Sequence, residues 1–273
     1  MYRRVLTMQD ISCVGQCSTT VALPILSACG LEACILPTAL LSTHTGGFGK
    51  PAAVHFDGAL TDIWHHWQEN GITFDAILVG YLGSLEAVKA AGEIIDRLLA
   101  PGGVAIVDPA MADNGKLYSG FDEDYVRAIG SLAGKADIIL PNVTEAAILS
   151  GLPYQENIGR NYVNQLLNGL NHPCAVLTGV DFDEDSTGIV LQEGTVQHEY
   201  RHKRIGTGCH GTGDIFAAVF TGALMQGKNR LDAAKIAADF TCRCIKNTVN
   251  APAHWYGVKF EPLLPELMEM LGR

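Results

Sequence analysis

A chain of 273 residues with 48% hydrophobic content can bury one large α/β core or two small ones, and no linker-like tract divides it, which favours a single unit over 1–273. Nineteen Lys and Arg against 29 Asp and Glu leave a net charge of −10, which disfavours a broad grip on nucleic acid but not small anions held by backbone amides. The start, MYRRVLTMQD, is too short in apolar residues for a secretory signal and no run of 18 uncharged apolar residues follows, so the expectation is a cytoplasmic protein without a membrane partner.

Taken in chain order, RVLTMQD reads as a strand, TTVALPILSACG as a helix and EACILPTAL as a second strand. The glycine-rich HTGGFGKP is expected to be the most mobile surface loop. In the helix ALTDIWHHWQENG, Trp64 and Trp67 beside His65 and His66 read as core and surface packing rather than a metal site. DAILVGY, SLEAVKAAGEIIDRLLAPGG, GVAIVDP, DEDYVRAIGSLAGK, ADIILP, TEAAILSG and CAVLTGV continue a βαβ rhythm, which implies a parallel sheet covered on both faces. Gly30, Gly71, the Pro101-Gly102-Gly103 turn and Gly151 mark helix ends. STGIVLQEGTVQHEYRHK reads as an antiparallel edge hairpin around Glu193-Gly194, and helices dominate from there to the end. Eight cysteines without a C-x2-C pair are expected to be reduced and mostly buried, with Cys242 and Cys244 on different helix faces.

Polar residues gather where the predicted parallel strands end: Asp10, Tyr81, Asp108, Asn142 and Thr178. In open α/β sheets that edge binds ligands. Two Gly-Thr-Gly triplets stand in RIGTGCHGTGDIFAAVFTGAL, the second followed by Asp214 and an apolar run. Glycines let several N–H groups converge and a following helix N-terminus favours negative charge, so the stretch can cradle an anion. An aspartate at such a cradle can take a proton from a hydroxyl while the amides steady a transferring phosphoryl group; equally, Asp214 can be a plain helix N-cap. Phosphoryl transfer needs a divalent cation, for which Asp108, Asp113 and Glu145 are candidates, although Asn142-Val143-Thr144-Glu145 also reads as an ordinary helix start. The Walker A pattern is absent, which argues against a P-loop enzyme.

In order and spacing, LVGYLGS, VDPAM, ILPNVTEAAILSG and GTGDIFAAVFTGAL resemble the vitamin-kinase branch of the ribokinase-like superfamily, pyridoxal kinases above all; LSTHTG and the GYLG segment point to the vitamin B6 kinases. The resemblance implies a three-layer α/β/α sandwich with a mostly parallel sheet, a homodimer, and ATP with Mg2+ as cofactors, a monovalent cation such as K+ being a further candidate. It implies that Asp214 is the base and that Gly211, Thr212 and Gly213 form the anion hole. Asp108, Asp113 and Glu145 would orient Mg-ATP, with Asn142, Thr178 and Thr212 near the phosphates and Asp108 and Glu145 nearest the metal. Thr45 and Tyr81 would line the pocket for the pyridine ring of the vitamin, with His44 beside it.

Two departures matter. Asp10 stands where pyridoxal kinases carry serine, and Ser18-Thr19-Thr20 replaces the usual Gly-Asn-Ser at the first helix. A carboxylate at position 10 can accept from the ring hydroxyl or pair with a protonated ring nitrogen, or it can be a turn residue. The first triplet, Gly206 to Cys209, is similar to the GTGC signature of hydroxymethylpyrimidine kinases of thiamine synthesis, the alternative reading. Because the helical run is expected directly after Asp214, the base is assigned there and Cys209 to a covering loop. A non-catalytic binder of the vitamin or of nucleotide is the rival from another class.

Overall fold

The alternating signals resolve into one sheet covered on both faces. The computed structural model describes residues 2–156, 158–206 and 209–273, apart from the Pro252 side chain. The order is β1 (Arg4–Ser12), α1 (Thr19–Ala28), β2 (Glu32–Leu41), β3 (Ala53–His55), α2 (Asp57–Glu69), β4 (Phe74–Val79), α3 (Leu85–Leu98), β5 (Leu99–Val107), β6 (Ala112–Asp113), β7 (Lys116–Leu117), α4 (Glu123–Ala133), β8 (Ile138–Ile139), α5 (Val143–Ser150), α6 (Arg160–Leu170), β9 (Cys174–Asp181), β10 (Ser186–Glu193), β11 (Val196–Lys203), α7 (Thr212–Met225), α8 (Arg230–Thr248) and α9 (Leu264–Met270). The sheet order is β11-β10-β9-β8-β5-β4-β1-β2-β3. Strands β9, β8, β5, β4, β1 and β2 run parallel; β3 closes one edge antiparallel and the β10–β11 hairpin the other.

Burial on both faces explains the apolar strands. Ile77 and Val79 of β4 pack into the layer of α2 to α6, whereas Ala76 and Leu78 face the layer of α1, α7, α8 and α9. Helix α7 is buried from Ile215 to Ala223. Gly222 permits this, since a β-carbon there would lie 2.3 Å from the Cys29 Sγ. Leaving β1, the chain builds β2 on one side, while β4, β5, β8 and β9 extend the other way. Such a reversal opens a crevice at the carboxyl ends of β1 and β4.

Most expected elements are present, and Gly30, Gly71 and Gly151 follow helix ends with positive φ. Pro101-Gly102-Gly103 is not a helix-closing turn. Leu99 already pairs with Phe74, and the three residues bulge outward before Val104 pairs with Ala76. Helix α7 begins at Thr212, ahead of the expected start, so Asp214 is its third residue and Gly211 its N-cap. The expected hairpin is present, Glu193 pairing Val196 across Gly194-Thr195. Trp64 is buried while His65 and His66 are exposed, as packing required. Of the cysteines, Cys29, Cys174, Cys242 and Cys244 are buried and Cys13 is exposed. No helix among the described residues is long and apolar enough to cross a membrane.

Candidate active site

Four carboxylates stand in an electrostatic row at the carboxyl edge. Asp10 lies in β1 where the register against β2 slips between Gln9 and Ile11; its N–H turns to the Tyr81 carbonyl at 3.2 Å. Asp214 comes next, on the first turn of α7, and its pKa is raised to about 7 by burial and then by the charge of Asp10. Asp108, just after β5, is pushed up to about 8 by burial and by Asp214, and Glu145, buried on α5, is raised by burial and by Asp108. No Lys, Arg or His among the described residues pairs with any of the four. Asp108 and Asp214 keep part of their surface exposed, so the row opens to solvent.

Beside it lies an amide cradle. Gly211 has φ 85°, and a β-carbon there would meet the Gln16 carbonyl oxygen at 2.0 Å, so the loop can pass only as glycine. The first bond of the α7 ladder runs from Ile215 N–H to the Gly211 carbonyl at 3.0 Å. The N–H groups of Thr212 and Gly213 therefore precede the ladder and are positioned to meet an anion. Gly213 is exposed, and a β-carbon on it would lie 3.8 Å from Asp108 Oδ2, so cradle and carboxylate share one space. The Thr212 hydroxyl donates to the Cys209 carbonyl at 3.2 Å. The triplet containing Cys209 includes Thr207 and Gly208, which lie outside the described residues.

The residues expected near the phosphates are largely committed to the fold. Asn142 caps α5: its Oδ1 accepts from Glu145 N–H at 2.9 Å, and its Nδ2 donates to the Ala112 carbonyl at 2.9 Å. Glu145 completes a capping box, accepting from Asn142 N–H at 2.9 Å with one oxygen and from Met111 N–H at 3.1 Å with the other. The reading of Asn142-Val143-Thr144-Glu145 as a helix start thus holds, and Glu145 also lies in the field of Asp108. Asp113 is exposed on the β6–β7 hairpin, bonded to Asn114. Thr178 lies within β9 instead of ending it, its N–H on the Pro141 carbonyl at 2.9 Å.

On the ring side, Asp10 is 2% exposed and accepts from Ser12 Oγ at 3.0 Å. Tyr81 is pushed up to about 12 by burial and by Asp10, and its ring lies 5.5 Å from that of Phe121. His44 is locked: Gly46 N–H donates to Nδ1 at 3.0 Å, which leaves Nε2–H for the Tyr256 carbonyl at 2.5 Å. Its ring contacts Phe48 and His210, at 5.0 and 4.9 Å between centroids, and Phe48 contacts Trp255 at 4.7 Å. The glycine-rich loop is therefore packed against two other segments, while Thr45 within it stays exposed. Sequence reasoning missed Tyr118, whose phenol is raised by burial and by Glu145, Asp113, Asp108 and Asp214 together. A tyrosine between two β-hairpin strands and a helix carries no motif.

A sequence model of the family described as phosphomethylpyrimidine kinase matches residues 25–258. The chain belongs to that family. Within it the chain is similar to a pyridoxine/pyridoxal/pyridoxamine kinase of Bordetella avium, 30% identical over 263 residues that cover 89% of this chain and 85% of the relative. Its fold matches the pyridoxal kinase of Lactobacillus plantarum with a TM-score of 0.90 and 33% identity, covering 99% and 98% of the two chains. A Bacteroides thetaiotaomicron protein described as a phosphomethylpyrimidine kinase and crystallised with pyridoxal matches with a TM-score of 0.91 and 30% identity, covering 100% and 96%. This member of the family is accordingly a small-molecule kinase of the pyridoxal kinase group in the ribokinase-like superfamily.

Proposed function

We propose that this kinase transfers the γ-phosphoryl group of ATP to the hydroxymethyl group of pyridoxal, pyridoxine or pyridoxamine, with Asp214 as general base. One observation carries the reading: a partly exposed carboxylate sits on the first turn of α7, directly after two N–H groups that the helix leaves without partners. A hydroxyl bound there gives its proton to Asp214, whose pKa near 7 keeps it basic enough to accept and largely ionised above neutrality. The amides of the Gly211–Gly213 cradle meet the phosphoryl oxygens, so catalysis consists of alignment and charge stabilisation. The vitamin ring lies toward Asp10, Thr45 and Tyr81, and the nucleotide toward Asn142 and Thr178.

The acids fit a Mg2+–nucleotide. Asp108 and Glu145 lack a cationic partner and are raised by burial and by a neighbouring acid, so they would share an ion that keeps waters and phosphate oxygens in its shell. The ion that Asp108 and Glu145 would hold would supply neutralisation of charge on the transferring phosphate. The reading extends to a homodimer, with K+ as a candidate further cation.

The family description favours a second substrate, hydroxymethylpyrimidine, on the same scaffold. Against it, Asp214 and not Cys209 occupies the first turn of α7. Magnesium-dependent ADP release with each of the three vitamers and with hydroxymethylpyrimidine decides the matter. Turnover with a vitamer that survives Cys209→Ala and is lost in Asp214→Asn is expected. Turnover confined to hydroxymethylpyrimidine and abolished by Cys209→Ala would replace the proposal, and tight vitamin binding without ADP release would make the chain a binder.

A further inference from the structure

Residues 13–17 join β1 to α1 without regular structure, and Gln16 within them is held by three contacts with distant parts of the chain. The first is with the cradle. The Gln16 carbonyl oxygen lies against Gly211, so close that a β-carbon on that glycine would stand 2.0 Å from it. The second is with Gly257, where a β-carbon would stand 2.9 Å from both the N and the Cβ of Gln16. Neither neighbour has room for a side chain. The third contact is polar: Gln16 Nε2 donates to Glu261 Oε1 at 2.7 Å, and Gln16 Oε1 accepts from His254 Nε2 at 2.7 Å. The carboxylate settles that orientation. It can only accept, so it takes the amide N–H, which leaves the amide oxygen for His254 and requires a hydrogen on Nε2. His254 and Glu261 belong to the segment that leads into α9, so the clamp ties the end of the chain to its beginning.

Resting on the kinase reading above, we propose that Gln16 is a positioning residue of the anion cradle: His254 and Glu261 hold its side chain, and its carbonyl sets where Gly211, and with it the Thr212 and Gly213 N–H groups, can lie. Gly211 has no side chain to anchor it, and no side chain caps α7, so the loop beneath supplies the support. Direction is what the cradle contributes. Amide donors stabilise a transferring phosphoryl group when they are aimed in advance, and a misplacement of about 1 Å can cost about 100-fold. The bond to Glu261 is exposed to solvent and the bond to His254 is part-buried, so losing both relaxes the loop without unfolding the protein. Gln16 acts on the reaction through Gly211 and not by touching a reacting group.

Gln16→Ala should lower kcat about tenfold and leave KM for the vitamin within about threefold of the parent. A purely structural role would instead lower the melting temperature and spare kcat in the folded range, and that outcome overturns the proposal. An exchange of groups keeps the test sound should the alanine variant fold poorly. Gln16→Glu sets two carboxylates face to face and should cost as much as Gln16→Ala; adding Glu261→Gln restores a donor opposite an acceptor, and kcat should return to within about twofold of the parent. A loss that persists in the double variant overturns the proposal. The backbone amide resonances of Thr212 and Gly213 in the ligand-free protein need no turnover: Gln16→Ala should move both, and the double variant should bring them back. Parental positions in Gln16→Ala overturn the proposal. Absence of turnover by the parent with every vitamer would sink the kinase reading alone, and the resonances would still decide whether Gln16 holds the cradle.

Discussion

The two edges of the sheet handle charge in opposite ways. At the amino edge, Asp75 accepts from Arg4 N–H at 2.8 Å, Asp137 accepts from Ala105 N–H at 2.8 Å, and Arg4 meets Glu32 at 3.0 Å. Every one of these acids is answered by a donor of the same chain, and the contacts join neighbouring strands. At the carboxyl edge, Asp10, Asp214, Asp108 and Glu145 stand within each other's field with no cation among the described residues to meet them. Charges that a fold needs for itself are paired within it, whereas uncompensated buried acids raise their own pKa until a proton or a bound cation neutralises them. The raised carboxyl groups at the carboxyl edge are the basis on which those acids, and not the ones at the amino edge, are proposed as functional.

The comparison breaks most readily at Asp214. Asp214→Asn is expected to cut turnover by about 100-fold or more while vitamin affinity by calorimetry stays within a few-fold, and parent-like turnover would put that residue with the structural acids. Asp108→Asn should come next, lowering kcat at least about tenfold and raising the Mg2+ concentration that the reaction needs. The same variant tests the sign of the charge argument. A carboxyl group raised to about 8 contributes stability that is complete below the ordinary aspartate range and is lost as pH climbs through the folded value. The melting temperature of ligand-free Asp108→Asn should therefore gain on the parent between acid and mildly alkaline pH, by about 5 °C, as read by calorimetry. Depression of His44 by burial works in the opposite direction in both proteins and cancels in the difference. A constant gap across that range would mean that Asp108 is not strained by its neighbours.

Gly211→Ala sharpens the picture of the cradle. With φ 85° and the Gln16 carbonyl oxygen 2.0 Å from the new β-carbon, it should cost about 1–3 kcal/mol in urea unfolding and reduce turnover as well, since the loop must shift. Smallest is the effect at the amino edge. Arg4→Ala removes an ion pair whose side chains are 39% and 37% exposed and should cost under about 1 kcal/mol with kcat unchanged. A large kinetic effect there would mean that the two edges are coupled.

Much of the fold was legible because apolar runs and helix stops are local signals. β1, α3 and the Glu193–Val196 hairpin follow from spacing alone. Helix α6, the short β3 and the β6–β7 hairpin were not seen: RNYVNQLLNGL is rich in asparagine, and two- or three-residue strands are set by what they lie against. In the site, Asp108, Glu145 and Asp214 were found from strand ends and the glycine triplet, and they do converge. Asn142 and His44 were named as well, but their polar atoms are used by the α5 cap and by Tyr256. Tyr118, which lies in the field of four acids, was missed, because its place depends on what surrounds it and not on a motif.

Composition, periodicity and the GTGD stretch determined by themselves that this is a two-sided parallel α/β sheet with an acid beside an amide cradle, since residue spacing along the chain dictates which side chains share a face and which amides precede a helix. Only the tertiary structure decided that Asp10, Asp214, Asp108 and Glu145 stand within one another's field. Those groups come from four separate elements, and the field that links them depends on distances through space, which no local stretch of sequence encodes.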